Sequence, residues 1–186
     1  NKKLTNVLSL CQSENANKKI SAACNEIGIH FKSYHDFGRK VWNIQEEINK
    51  ADLVVGLGRS IYDAMACGRT AVVYDERSYM SPAGDGYLAP NLWRSFSKNC
   101  SGRYLHQDFS VDELVLELKK YKPEDGDYNR QLAVSHFNIK KVAHQYIQLY
   151  FDQLKNWDQK KRMLIGTKLL SKKSKLLFKT LKKGII

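Results

Sequence analysis

Residues 51–75, ADLVVGLGRSIYDAMACGRTAVVYD, decide the fold. Leu53 to Gly56 is an unbroken apolar run of strand length. Gly56 to Ser60 makes a tight loop, and Ile61 to Cys67 forms a short helix that Gly68 stops. Thr70 to Tyr74 (TAVVY) is a second buried-strand run. Strand, helix and strand in succession, with both strands apolar throughout, point to a parallel sheet covered on both faces.

The alternation continues toward the N-terminus. Asn6 to Cys11 (NVLSLC) reads as a strand, and Ala16, Ile20, Ala23 and Ile27 then recur at a helical period over 14–27. Gly28 ends that helix. Ile29 to Tyr34 is another strand, and Val41, Ile44 and Ile48 stripe a helix over 41–50. Toward the C-terminus the pattern weakens. Residues 75–109 carry Gly84, Gly86, Gly102, Pro82 and Pro90 and read as loops, with one short strand near Arg103–Leu105. Helices return over 110–121, where Ser110 or Asp112 can cap, and over 127–157. The expected class is α/β: a parallel sheet with helices on both faces, followed by C-terminal helices.

The 186 residues are 42% hydrophobic and 27% charged, which supports a sizeable core and excludes a disordered chain. No apolar run approaches transmembrane length. No signal-peptide pattern follows Asn1, and a fragment or processed form is expected. The net charge of +12 is lopsided. Residues 155–186 hold 11 Lys/Arg and one acid, Asp158, whereas residues 1–154 hold 20 Lys/Arg and 18 acids. Two regions follow, 1–154 and a basic tail over 155–186. Cys11, Cys24, Cys67 and Cys100 form no C-x-x-C pair, and the five histidines show no ligand spacing. Free thiols in a reducing, cytoplasmic setting and no metal are the expectation.

The loop Gly56-Leu57-Gly58-Arg59-Ser60 leaves the end of a strand at which open parallel sheets bind ligands. A helix starting there offers unpaired N–H groups and the positive end of its dipole to an anion. Gly56 and Gly58 permit close backbone approach, Arg59 can grip two phosphate oxygens, and Ser60 can cap the helix or donate to phosphate. A plain glycine turn with a solvated arginine accounts for the same spacing. The loop is neither a dinucleotide fingerprint, because Tyr62 and Asp63 fill the later positions, nor a Walker loop, which ends in Gly-Lys-Ser/Thr.

Asp63-Ala64-Met65-Ala66-Cys67-Gly68-Arg69-Thr70-Ala71-Val72-Val73, with the lead-in Ala51-Asp52-Leu53-Val54-Val55, resembles the C-terminal nucleotide-sugar-binding domain of GT-B glycosyltransferases. The resemblance is specific over 50–75 and diffuse over about 5–150. It implies a Rossmann-like half of a GT-B fold, with a missing N-terminal acceptor domain. It also implies a nucleotide-diphosphate sugar, a UDP-sugar by preference, as donor, with no further cofactor, for transfer to a glycan or lipid-linked acceptor. By the same resemblance Gly58, Arg59 and Ser60 bind the diphosphate. Asp63 takes the place of the glutamate that holds the ribose, one methylene shorter. The other glutamate of retaining members falls at Val55, where this chain departs from that subgroup. The nucleobase falls near Val41 and Trp42, although packing on the sheet is the simpler reading of Trp42.

Three further residues sit near expected loops at strand ends. Lys18 can reach the phosphates or be a solvated helix-start lysine, Asp85 can bind sugar hydroxyls, and Arg103 can face a phosphate or cap a helix. No residue is assigned a catalytic role. Over 157–183, Met163, Ile165, Leu169, Leu170, Leu176, Leu177 and Leu181 form one broad face and six lysines another. That pattern suits a peripheral attachment to the inner face of a membrane, or a helix packed on the missing half of the enzyme. Two other functions remain open: a related sugar-nucleotide epimerase, and a basic membrane- or nucleic-acid-binding module. The near-neutral first region gives no sign of specific nucleic-acid binding.

Overall fold

A computed structural model describes residues 2–34 and 42–183, with side chains except at 158, 162, 165, 166, 174 and 176–183. The expectation for Val41 lies outside the described residues. The chain forms two compact units that divide between Phe137 and Asn138.

The first unit runs β1 (Asn6–Ser9), α1 (Glu14–Glu26), β2 (His30–Ser33), α2 (Ile44–Lys50), β3 (Leu53–Gly56), α3 (Arg59–Ala66), β4 (Thr70–Asp75), β5 (Ala83–Tyr87), α4 (Leu88–Ser97), α5 (Val111–Leu118) and α6 (Pro123–His136). The strands form one sheet in the order β2-β1-β3-β4-β5. The first four are parallel, and β5 closes the edge antiparallel to β4. This is a Rossmann-like α/β fold.

Strand side chains alternate between faces, and the two cores follow that period. Leu53, Val55, Val72 and Tyr74 face Ile20 and Ala23 of α1 and Leu114 and Leu118 of α5. Val54, Ala71 and Val73 face the other way, onto Ile48 of α2, Ile61 and Met65 of α3, Leu92 of α4 and Ala133 of α6. Strands buried on both faces need the continuous apolar runs seen in β3 and β4. Helix ends follow local chemistry. Ser13 caps α1 through Ala16 N–H, Ser110 and Glu113 form a capping box on α5, and Gly28 and Gly68 take positive φ just past α1 and α3.

The loop reading of residues 75–109 is corrected: the segment holds β5 and α4, and the strand expected near Arg103–Leu105 is a turn. The sequence of β5, AGDGY, has no β-branched residue, so its propensity is invisible. Its glycine is required by packing, because a Cβ on Gly84 would run into the Phe109 ring. Pro90 sits in the first turn of α4, where a missing N–H costs nothing.

The second unit is a single helix, α7 (Ile139–Lys183). The helix expected over 127–157 is thus two, parted at Phe137 and Asn138, and the described residues 155–183 of the basic tail lie in the distal part of α7. Among the described residues no helix is long and apolar enough to cross a membrane.

Candidate functional site: a cationic cavity at the strand ends

The strand order reverses between β1 and β3, the place where open α/β sheets leave a crevice outside their carboxyl ends. A cavity of about 650 Å³ lies there. Its walls come from four loops: Gln12 after β1, Leu57 to Ser60 after β3, Arg77 to Met80 after β4, and Ser97 to Arg103 after α4. Among the described residues four cations line it, Arg59, Arg77, Lys98 and Arg103, and no acid does.

The glycine loop is built for close approach. Gly58 takes φ 56° and ψ −117° as the N-cap of α3, with no side chain capping the helix. Few residues with a Cβ tolerate that backbone. Its N–H donates to the Cys100 carbonyl (2.8 Å), which ties the β3 loop to the 97–103 loop. Beneath it, a Cβ on Gly56 would sit 3.0 Å from the Ser60 Cβ. Ser60 lies inside the first turn, so the capping role read from the sequence belongs to Gly58. Asn99, in the cavity wall, and the buried Cys100 behind it both hold positive φ without being glycine, a strained pair.

Arg59 projects into solvent, its side chain 92% exposed, with Nε 3.6 Å from Asp63 Oδ2. Burial raises the Asp63 carboxyl above the ordinary aspartate range, against the pull of the Arg59 charge. Arg77 is held more firmly. Its Nε donates to the fully buried Asp75 (3.1 Å), and its other arm donates to the Tyr79 hydroxyl (2.6 Å). Asp75 also accepts from the N–H groups of Gln12 (3.1 Å), Ser13 (3.3 Å) and Glu76 (2.9 Å). One buried carboxylate therefore fixes both the β1 loop and an arginine of the cavity wall.

Of the residues read from the sequence, Gly58, Arg59, Ser60 and Arg103 line the cavity, with Gly56 packed against Ser60. The others do not line it. Lys18 pairs with Glu14 one helical turn back (2.8 Å), the solvated helix-start alternative. Trp42 is 83% exposed, so it does not pack on the sheet. Asp85 is corrected outright: its carboxylate is 1% exposed and turned inward, accepting from Ser95 Oγ (2.5 Å), Tyr104 N–H and Leu105 N–H (both 2.9 Å). It organises the wall instead of meeting a ligand.

Arg77, Tyr79 and Lys98 went unread. Arg77 stands two residues past the carboxyl end of a strand that was itself legible, so the strand-end rule could have found it. Lys98 follows a helix whose existence the glycines and prolines concealed. Among the described residues no cluster of His, Cys, Asp and Glu is arranged to hold a metal, and the four cysteines are free.

Beside the cavity, Glu76 is held by a network. It accepts from Lys19 Nζ (2.6 Å), from the Tyr74 hydroxyl and from the Asn15 amide. Burial opposes its ionisation, but the hydrogen bonds from Lys19, Tyr74 and Asn15 outweigh it and hold the carboxyl below its ordinary 4.5. A depressed folded pKa stabilises the fold above the unfolded value and loses that contribution as pH falls through the folded one. Acid titration of unfolding by urea is therefore expected to show a shallower decline for Glu76→Gln than for the parent chain between about pH 5 and pH 3. Identical slopes would mean that the network does not persist in solution.

Comparison of the chain with family models, with curated proteins and with solved structures returned no match.

Proposed function

We propose that this chain is the donor-binding half of a glycosyltransferase, taking a nucleotide-diphosphate sugar in the cavity at the carboxyl ends of β1 and β3. The observation that supports it is the convergence of Arg59, Arg77, Lys98 and Arg103, with no acid among the described lining residues, on a glycine-opened helix start. A diphosphate carries concentrated negative charge and many acceptor oxygens. Arginine forks match both, whereas the N–H groups of Gly58, Ser60, Ile61 and Tyr62 are already engaged by backbone carbonyls. Glycosyl transfer leaves a nucleoside diphosphate as the departing group. Fixed cations at that point stabilise charge as it develops and need no reorganisation. Acceptor binding and proton removal belong to residues outside this cavity. The choice of uridine over other bases, and of a glycan or lipid-linked acceptor, follows the likeness of residues 51–73 to GT-B donor domains.

Isothermal titration with UDP, and with GDP and NAD as controls, tests the reading. Saturable UDP binding is expected, weakened between about tenfold and a hundredfold by Arg59→Ala, the loss expected for a charged hydrogen-bonding pair. Arg59 is so exposed that its removal leaves the fold intact. Absence of binding by any nucleotide, or equal binding by Arg59→Ala, would overturn the assignment.

A further inference from the structure

Helix α7 is 45 residues long, or about 67 Å at the usual rise per residue. Its chemistry changes along one side. At the helical rotation per residue, Ile139, Tyr146, Tyr150 and Trp157 fall within about 20° of a single line, with Ala143, Ile147 and Leu154 beside them. All are exposed. Beyond Trp157 the same line continues, within about 60°, as a mostly basic row, Lys160, Lys161, Lys168, Lys172 and Lys175, with Leu164 among them, again exposed. The opposite side does the reverse. It carries Lys141, Gln148 and Asp152 in the proximal half, then Met163 and Leu170, with Lys173 beside them, in the distal half. The two halves are amphipathic in opposite senses, and over the full length they cancel.

We propose that the aromatic-then-lysine side of α7 is a docking surface for an anionic lipid bilayer, with the helix lying in the plane of the membrane. The inference is independent of what the cavity binds. Tyrosine and tryptophan have an apolar body and a polar tip, and they settle at the boundary between headgroups and acyl chains. A lysine row meets anionic headgroups. Residues 155–186 hold 11 Lys/Arg and one acid, a charge that an anionic surface complements. Nucleic acid would match the lysines and leave the Ile139–Trp157 stripe in water. A protein helix along that stripe would leave the lysine row without counter-charge. A bilayer receives the aromatic stripe and the lysine row from one side and leaves Met163 and Leu170 on the water side, and no described helix is apolar enough to cross it.

Co-sedimentation of the full chain with phosphatidylglycerol-containing vesicles, with pure phosphatidylcholine vesicles and with duplex DNA provides the test. Three variants accompany the parent: Tyr146→Ser/Tyr150→Ser/Trp157→Ser, Lys161→Gln/Lys168→Gln/Lys172→Gln/Lys175→Gln, and Met163→Ser/Leu170→Ser. Circular dichroism of each variant verifies that α7 stays helical. Binding to anionic vesicles is expected to exceed binding to neutral ones by more than tenfold. Each neutralised lysine is worth about fivefold, so the quadruple variant loses about a hundredfold or more. The aromatic variant loses anionic binding as well, and the Met163/Leu170 variant keeps it. No binding to anionic vesicles overturns the proposal, as does loss confined to the Met163/Leu170 variant, which would place the opposite side on the lipid. Duplex binding that matches vesicle binding and ignores the aromatic variant overturns it in favour of nucleic acid.

Discussion

Asp85→Ala is expected to lower the free energy of unfolding by about 4 kcal/mol, through the cost of stranding buried donors once their acceptor is gone. The carboxylate is buried and accepts from Ser95 Oγ, Tyr104 N–H and Leu105 N–H. Alanine leaves all three facing each other across a void. Asn91 adds a fourth tie to the same residue, through the Asp85 backbone carbonyl (3.2 Å), and that one survives the substitution. Asp85→Asn restores one acceptor oxygen and turns an amide toward a donor, so its cost is about half as large, about 2 kcal/mol. Urea unfolding at neutral pH measures both. A loss below about 1 kcal/mol for the alanine variant would place it among ordinary surface changes and show that the carboxylate does not hold this loop in solution. Because Arg103 immediately precedes Tyr104, the same variant is expected to weaken any ligand the cavity takes.

Gly102→Ala is the second large effect. Gly102 holds φ 73°, and a Cβ there would lie 2.6 Å from the Ala83 carbonyl oxygen and 2.7 Å from its carbon. Both neighbours are backbone atoms of β5, so no side-chain rotation relieves the overlap. The left-handed conformation costs 1–2 kcal/mol for a residue with a Cβ and the overlap adds a similar amount, giving about 3 kcal/mol in total. A control separates the two contributions. Gly28 has nearly the same φ, 70°, with nothing within 4 Å of its Cβ position, so Gly28→Ala reports the backbone cost alone. Equal losses for the two variants would mean that the 97–103 loop shifts away from β5 without penalty.

The legible part of this fold is the part written in apolar periodicity. β3 and β4 are continuous hydrophobic runs because both faces are covered, and α1 and α5 show their buried stripes plainly. β5 was hidden because its identity is set by neighbours: Gly84 is there for Phe109, and Gly86 sits at positive φ over Glu117. Tertiary packing overrides propensity at such a place. The candidate site was legible where one strand, one loop and one helix adjoin in sequence, as at Gly58, Arg59 and Ser60. It was not legible where distant loops converge. Nothing near Asp85 in the sequence indicates that its partners are Ser95, Tyr104 and Leu105, and a lone aspartate between glycines looks like a ligand-binding residue for the same reasons that make it a good buried acceptor.

The walls of the cavity and the two cores share almost no residues, and this has a consequence for descent. Among the described lining side chains only Leu57 also belongs to a core cluster. Lineages can therefore exchange Lys98, Ser101, Tyr79 or Met80 without unsettling the sheet, and the chemistry of the crevice is free to diverge while the scaffold stays put. Asp75, Asp85 and Gly102 mark the limit of that freedom, since they stand behind the walls and hold them up. Relatives of this chain should differ most in what the crevice presents and least in those three positions, and sequencing its homologues would display that contrast directly.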